Sequence, residues 1–170
     1  MIYHAPFPPR AWLAALPLWI CACVVPMAPQ FEDPGANYPP FVASSNPTAG
    51  AELTPSATTI EVTPGDPNLD DVLAIRWLID YPPYDSATRI GLPPFSLPPT
   101  GTVNRQTIRF APSCSGNQIA SGLASHRVTL SVADRPFLPP EQAPPDLALD
   151  SVPPEGFVVR TTWLVDLECP

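Results

Sequence analysis

The stretch Asp71-Val72-Leu73-Ala74-Ile75-Arg76-Trp77-Leu78-Ile79-Asp80-Tyr81 decides the fold. Its odd positions, Leu73, Ile75, Trp77, Ile79 and Tyr81, are all large and apolar, whereas its even positions, Val72, Ala74, Arg76, Leu78 and Asp80, are mixed. Successive side chains of a strand leave opposite faces, so this pattern predicts a central strand with one face on a core and one near solvent. Pro82 and Pro83 end it, and an Asp-rich turn precedes it. A helix capped by Asp70 is the competing reading of so long a run. The prevalence of β-branched and aromatic residues favours the strand.

Composition points the same way. Of 170 residues 28 are proline, about three times the usual share. So much proline excludes a mainly helical fold and predicts short strands joined by stiff loops. The chain has no lysine, and its eight basic residues are all arginine. That excludes lysine Schiff-base chemistry and the phosphate-binding lysine of a P-loop, and no Gly-rich phosphate loop is present. A net charge of −8 without a basic patch argues against nucleic acid as a partner.

Residues 1–22 have the pattern of an export signal: Arg10 supplies the one positive charge before an apolar stretch, 11–22, too short for a stable membrane span. A buried N-terminal helix is the alternative, but Pro17 and Pro26 would interrupt it. Ile20, Cys21, Ala22 and Cys23 resemble the lipobox of bacterial lipoproteins. The resemblance implies that Cys23 carries a diacylglycerol and becomes the mature N-terminus. Val24 and Val25 follow, with no aspartate in the second position, and by the family's sorting pattern this implies an outer-membrane lipoprotein, periplasmic or surface-exposed. The membrane is then a partner through the covalent lipid, each buried methylene contributing about 0.8 kcal/mol. Plain secretion, with cleavage nearby, is the alternative.

Residues 23–40, with Pro26, Pro29, Pro34 and Gly35, read as a flexible tether, and 41–170 as the domain. A first edge strand is expected at 41–44 and a half-buried one at 58–63, with Ile60 and Val62 inward. Asp66, Asn68 and Asp70 match the opening of an EF-hand calcium loop, but Asp71 stands where that loop needs glycine and Trp77 where it needs glutamate. Asp66, Asn68, Asp70 and Asp71 are thus weak candidates for a calcium site, against the plainer reading as an Asx-rich turn. The connection 82–104 carries six prolines together with Tyr84, Leu92, Phe95 and Leu97. It reads either as a recognition surface or as a loop whose apolar side chains cover a sheet edge. Further strands are expected at 106–111, with Ile108 and Phe110 inward, and at 127–134, with Val128, Leu130 and Val132 inward and the central strand alongside. The proline-rich excursion 138–154 either drapes over the domain or projects as an acidic loop. A last strand, 157–169, puts Phe157, Val159, Trp163, Val165 and Leu167 inward and Arg160, Asp166 and Glu168 outward.

If Cys21 leaves with the signal and Cys23 is acylated, Cys114 and Cys169 remain as one pair in an oxidising compartment. A bridge between them would contribute roughly 4 kcal/mol by closing its loop; two free buried thiols are the alternative.

Six or seven short strands with long connections predict an all-β fold, a single antiparallel β-sandwich. The central tryptophan on a strand ending Asp80-Tyr81-Pro82, together with the 126–134 segment, resembles bacterial immunoglobulin-like domains of the cadherin or polycystic-kidney-disease type. With the lipobox, the whole chain resembles lipoproteins bearing such a domain that are abundant in myxobacteria. The resemblance implies location and fold, and almost nothing about ligand.

No catalytic constellation is expected. After the signal the only histidine is His126, beside Ser125 at a strand start, and no Gly-x-Ser-x-Gly elbow occurs. Asp80 and Asp134 end two core strands and offer a carboxylate pair if they meet. Two non-enzymatic classes follow: a structural or interaction module with an envelope protein partner, or a ligand-binding module for glycan or calcium using Trp77, Trp163 or the 66–71 turn. The parity of both tryptophans buries them, which counts against a glycan platform.

Overall fold

A computed structural model describes residues 36–54, 59–80, 90–114, 125–139, 141–142 and 149–167, all within the compact unit Phe31–Pro170. The expected signal and lipobox lie outside the described residues. Nine strands and no helix are found among the described residues: β1 Phe41–Asn46, β2 Glu52–Leu53, β3 Ile60–Gly65, β4 Leu73–Ile79, β5 Ile90–Gly91, β6 Phe95–Leu97, β7 Ile108–Phe110, β8 Ser125–Ala133 and β9 Val158–Asp166. They form two open sheets, one ordered β1-β3-β7 and the other β2-β9-β8-β4-β5, with β6 also on β4. All pairings are antiparallel except the short parallel contact of β2 with β9. This all-β, mostly antiparallel two-sheet arrangement is compatible with a β-sandwich.

The central strand is β4, and it is a strand because both of its edges are paired. On one side it runs against β8 from Ala74↔Ala133 to Ile79↔Val128. On the other, β6 pairs with its first half and β5 with its second, and Leu92 N donates to Trp77 O at 3.0 Å to carry the ladder across the gap. The described part of the connection, 90–104, therefore contains two strand fragments and covers the sheet edge, with Leu97 buried and Leu92 packed on the core.

The alternation of β4 places Leu73, Ile75, Trp77 and Ile79 in the core, together with Val128, Leu130, Val132, Trp163 and Val165 from the same sheet. Ile60, Val62, Ile108 and Phe110 face them from the three-stranded sheet. Trp77 stacks on Phe110 across the two sheets, centroids 4.7 Å apart and planes 18° from parallel. Trp163 tilts against Trp77 at 6.0 Å, and its indole Nε1 donates to Pro47 O at 3.0 Å. The polar tip of the deepest aromatic is thereby satisfied, which lets it be fully buried.

The other face of β4 departs from expectation: it is not near solvent. Ala74 and Leu78 are buried, as are Thr129 and Ser131 beside them on β8. The reason is that Leu149 and Asp150, from the 138–154 excursion, lie over this face. Arg76 Nη1 donates to Leu149 O, Ser131 Oγ donates to Asp150 Oδ2 at 3.0 Å, and Arg160 pairs with the same carboxylate. Leu149 also packs against Gly91, where even a methyl would lie 3.3 Å from its side chain. Phe157 is the second departure, since it is exposed rather than inward; β9 begins only at Val158, so Phe157 lies before the alternation starts.

Candidate functional site

A polar cluster gathers where β4 begins and β8 finishes. The turn 66–71 leads into β4, the segment ending at Arg105 leads into β7, and Asp134 and Arg135 follow β8. Residues 36–38 are bonded to Asn68 of that turn and to Asp134. Antiparallel pairing of β4 with β8 forces this meeting, because it puts the entry of one strand beside the exit of the other.

Asp66 is at the centre, with no exposed surface. Its Oδ1 accepts the Asn68 backbone N–H at 2.8 Å, an Asx turn of the kind the sequence suggests. Its Oδ2 is buried without a hydrogen-bond partner. Burial pushes the Asp66 carboxyl up to about 6. The charges of Asp71 and Asp134 add to that rise, while the Asn68 N–H bond and the Arg105 guanidinium oppose it.

The other three calcium candidates have separate engagements. Asn68 accepts Tyr38 N at 2.8 Å with its Oδ1 and donates through Nδ2 to Ala36 O at 2.9 Å. Asp71 pairs with Arg135 at 3.1 Å, and Asp70 is exposed. The turn's carbonyls are held by a resident cation: Arg105 Nη2 donates to Asn68 O at 2.9 Å and to Asp71 O at 3.3 Å, and its Nη1 donates to Thr102 O at 2.8 Å. Among the described residues no three His, Cys, Asp or Glu side chains are grouped so as to hold a metal ion. Asp134 completes the cluster, its Oδ2 accepting Asn37 Nδ2 at 2.6 Å and its Oδ1 accepting Phe157 N at 2.7 Å.

Sequence reasoning missed Arg105, Asn37 and Arg135. Arg105 stands outside any alternating strand, and its partners are 34 and 37 residues away in the chain. Asn37 fell within the expected tether, yet residues 36–38 are bonded into the domain.

A second cluster sits at the opposite end of β4. Asp80 Oδ2 lies 2.9 Å from His126 Nδ1, and Asp80 Oδ1 accepts Arg127 N at 3.0 Å. No protein family, curated protein or solved structure matches the chain. The site must be argued from its own geometry. Asp80 and Asp134 do not meet, since the β4/β8 register puts them at opposite ends of six paired residues, roughly 20 Å of strand. Ser125 is exposed while its neighbour His126 is fully buried, so the two side chains leave opposite faces and do not form a nucleophile and base. Trp77 and Trp163 are buried as their parity predicts. Cys114 lies after β7, and Cys169 lies outside the described residues.

Proposed function

We propose that the chain is an envelope lipoprotein, anchored through lipid on Cys23, whose β domain is a non-catalytic structural or protein-interaction module. The observation that carries this reading over the glycan-binding one is the placement of Trp77 and Trp163: both rings are stacked into the core, where they hold the sheets together instead of offering a face to a sugar. In the two clusters Asn37, Asn68, Asp71, Asp80, Arg105 and Asp134 join segments of the chain to one another.

The contact surface proposed lies along β6, in the 90–104 part of the connection, at the edge of the sheet. Its β6 strand turns Leu97 inward, but Phe95 is 41% exposed, a large apolar ring presented beside Pro93, Pro94, Pro98 and Pro99. Rigid proline-flanked aromatics bind protein partners at low entropic cost. Cys114 as a half-cystine supports the proposed bridge to Cys169 and, with it, export to an oxidising compartment.

The first test is the intact mass of the membrane-extracted protein with and without reductant. A chain starting at Cys23 with a diacylglycerol and a further acyl group, gaining two hydrogens on reduction, supports the anchored, bridged domain. An unlipidated mass starting elsewhere sinks the lipoprotein reading and moves the partner search to secreted assemblies. A crosslinked pull-down from native envelopes, comparing wild type with Phe95→Ser, then tests the contact surface.

A further inference from the structure

Asp66 is a buried carboxylate with one oxygen unpartnered, and it is wired to the segment that enters the domain. Its Oδ1 holds Asn68 N; the Asn68 side chain grips Tyr38 N and Ala36 O. A second route leads to the same segment: Asp134, whose charge Asp66 feels, holds Asn37 Nδ2. We propose that residues 36–38 form a latch whose docking on the turn before β4 is set by the charge on Asp66, tight when the carboxyl is neutral and loosened when it is ionised.

The charged groups around Asp66 come from three elements. Asp71 on its own turn and Asp134 after β8 repel its charge, and Arg105 before β7 attracts it. Arg135 is committed to Asp71 at 3.1 Å, Asp70 is exposed on the turn, and the latch itself contributes neutral Asn37 and the tyrosine Tyr38. Arg105 is the only cation that faces Asp66 among these, and it spends its Nη groups on backbone carbonyls. The closed hub therefore favours the neutral carboxyl, and any opening that lets water reach Asp66 favours the ionised one. Deprotonation must shift the balance toward opening. This inference goes beyond the module reading and does not depend on the lipid anchor.

The test is amide hydrogen exchange at Tyr38 in the full-length chain from pH 5 to pH 8, corrected for the intrinsic pH dependence of exchange, with Leu130 in the middle of β8 as the reference. With Asp66 titrating near 6 when closed and near 3.8 when open, Tyr38 protection should fall about tenfold across that range. In Asp66→Asn it should stay flat. Three results overturn the latch: pH-independent Tyr38 protection in the wild type, an undiminished fall in Asp66→Asn, or exchange of Tyr38 only in step with Leu130, which would mean that the hub opens only when the whole domain unfolds. If Asp66→Asn does not fold, the carboxyl carbon shift of Asp66 in the wild type decides. A titration near 6 that tracks Tyr38 protection supports the latch, and one in the ordinary carboxylate range overturns it.

Discussion

Asp80 has a backbone φ of 54°, a left-handed conformation that costs a residue with a β-carbon about 1 kcal/mol or more and is best tolerated by Gly, Asn and Asp. What holds it there is on either side: Asp80 N donates to Arg127 O at 2.7 Å, and its carboxylate takes Arg127 N and the buried His126 ring. Asp80→Ala loses the acceptor while keeping the strained φ, and should lower unfolding free energy by about 2–3 kcal/mol in urea titration. Asp80→Asn keeps an acceptor and tolerates the φ, so a loss of about 1 kcal/mol is expected; equal losses in the two variants would show that the carboxylate is idle. Asp66 makes the stability of the domain depend on pH. Its folded pKa lies above its unfolded one, so its contribution is fully present below about 3.8 and is lost as pH rises through about 6. Asp66→Asn should therefore stabilise the domain at pH 8, by on the order of 3 kcal/mol, and be nearly neutral at pH 4. A variant less stable than wild type at pH 8 would show that the ionised form has an attractive partner.

At the scale of elements, the excursion over the outer face of β4 acts as a structural strap. Asp150 is wholly buried, accepts from Ser131 Oγ and pairs with Arg160. Asp150→Ala takes the acceptor from the buried Ser131 hydroxyl, while Arg160, 44% exposed, keeps access to water, and chemical denaturation should show a loss of about 2 kcal/mol, within the range for leaving a buried donor unsatisfied. The exposed cross-strand pair Arg109–Glu61 at 2.7 Å provides the contrast, since Glu61→Ala should cost under about 1 kcal/mol. Comparable losses would mean that the strap is solvated and Asp150 is not truly buried. This strap also marks what the sequence could disclose. The inward faces of β3, β4, β7 and β8 were legible because alternation is a local property: Ile60 and Val62, Leu73 to Ile79, Ile108 and Phe110, and Val128 to Val132 all declare a face within their own strand. Which outer face is covered was not legible, because Leu149 and Asp150 reach Gly91, Arg76 and Ser131 from 19 to 73 residues away. The fragments β5 and β6 were hidden by their prolines and shortness, three residues at most. The Asp66–Asn68 turn was legible from its Asx pattern, but its cation was not, since an arginine between strands carries no periodic signal.

For the whole molecule, the four tryptophans report on folding and processing together. Trp12 and Trp19 precede the expected processing site, and Trp77 and Trp163 follow it. A chain that begins at Cys23 keeps only the latter two, and both are in the core, Trp77 stacked between the sheets on Phe110 and Trp163 sealed by its bond to Pro47 O. Removing the ring that joins the sheets, by Trp77→Ala, should cost about 3–5 kcal/mol in the same urea titration. Emission from the mature wild-type protein should be blue-shifted, resistant to acrylamide and unchanged by sugars, and the mature protein should absorb about half as strongly near 280 nm per mole of chain as the full chain, since it keeps two of the four tryptophans. Each departure has its own meaning. Quenchable, red-shifted emission from a chain whose mass begins at Cys23 would show that the two sheets do not close over Trp77 and Trp163. Quenchable emission only while residues 1–22 remain attached would place the exposed indoles at Trp12 and Trp19 and leave the core intact. A shift on adding sugar, with the mature mass confirmed, would return one ring to the surface and favour the glycan-binding alternative over the interaction module.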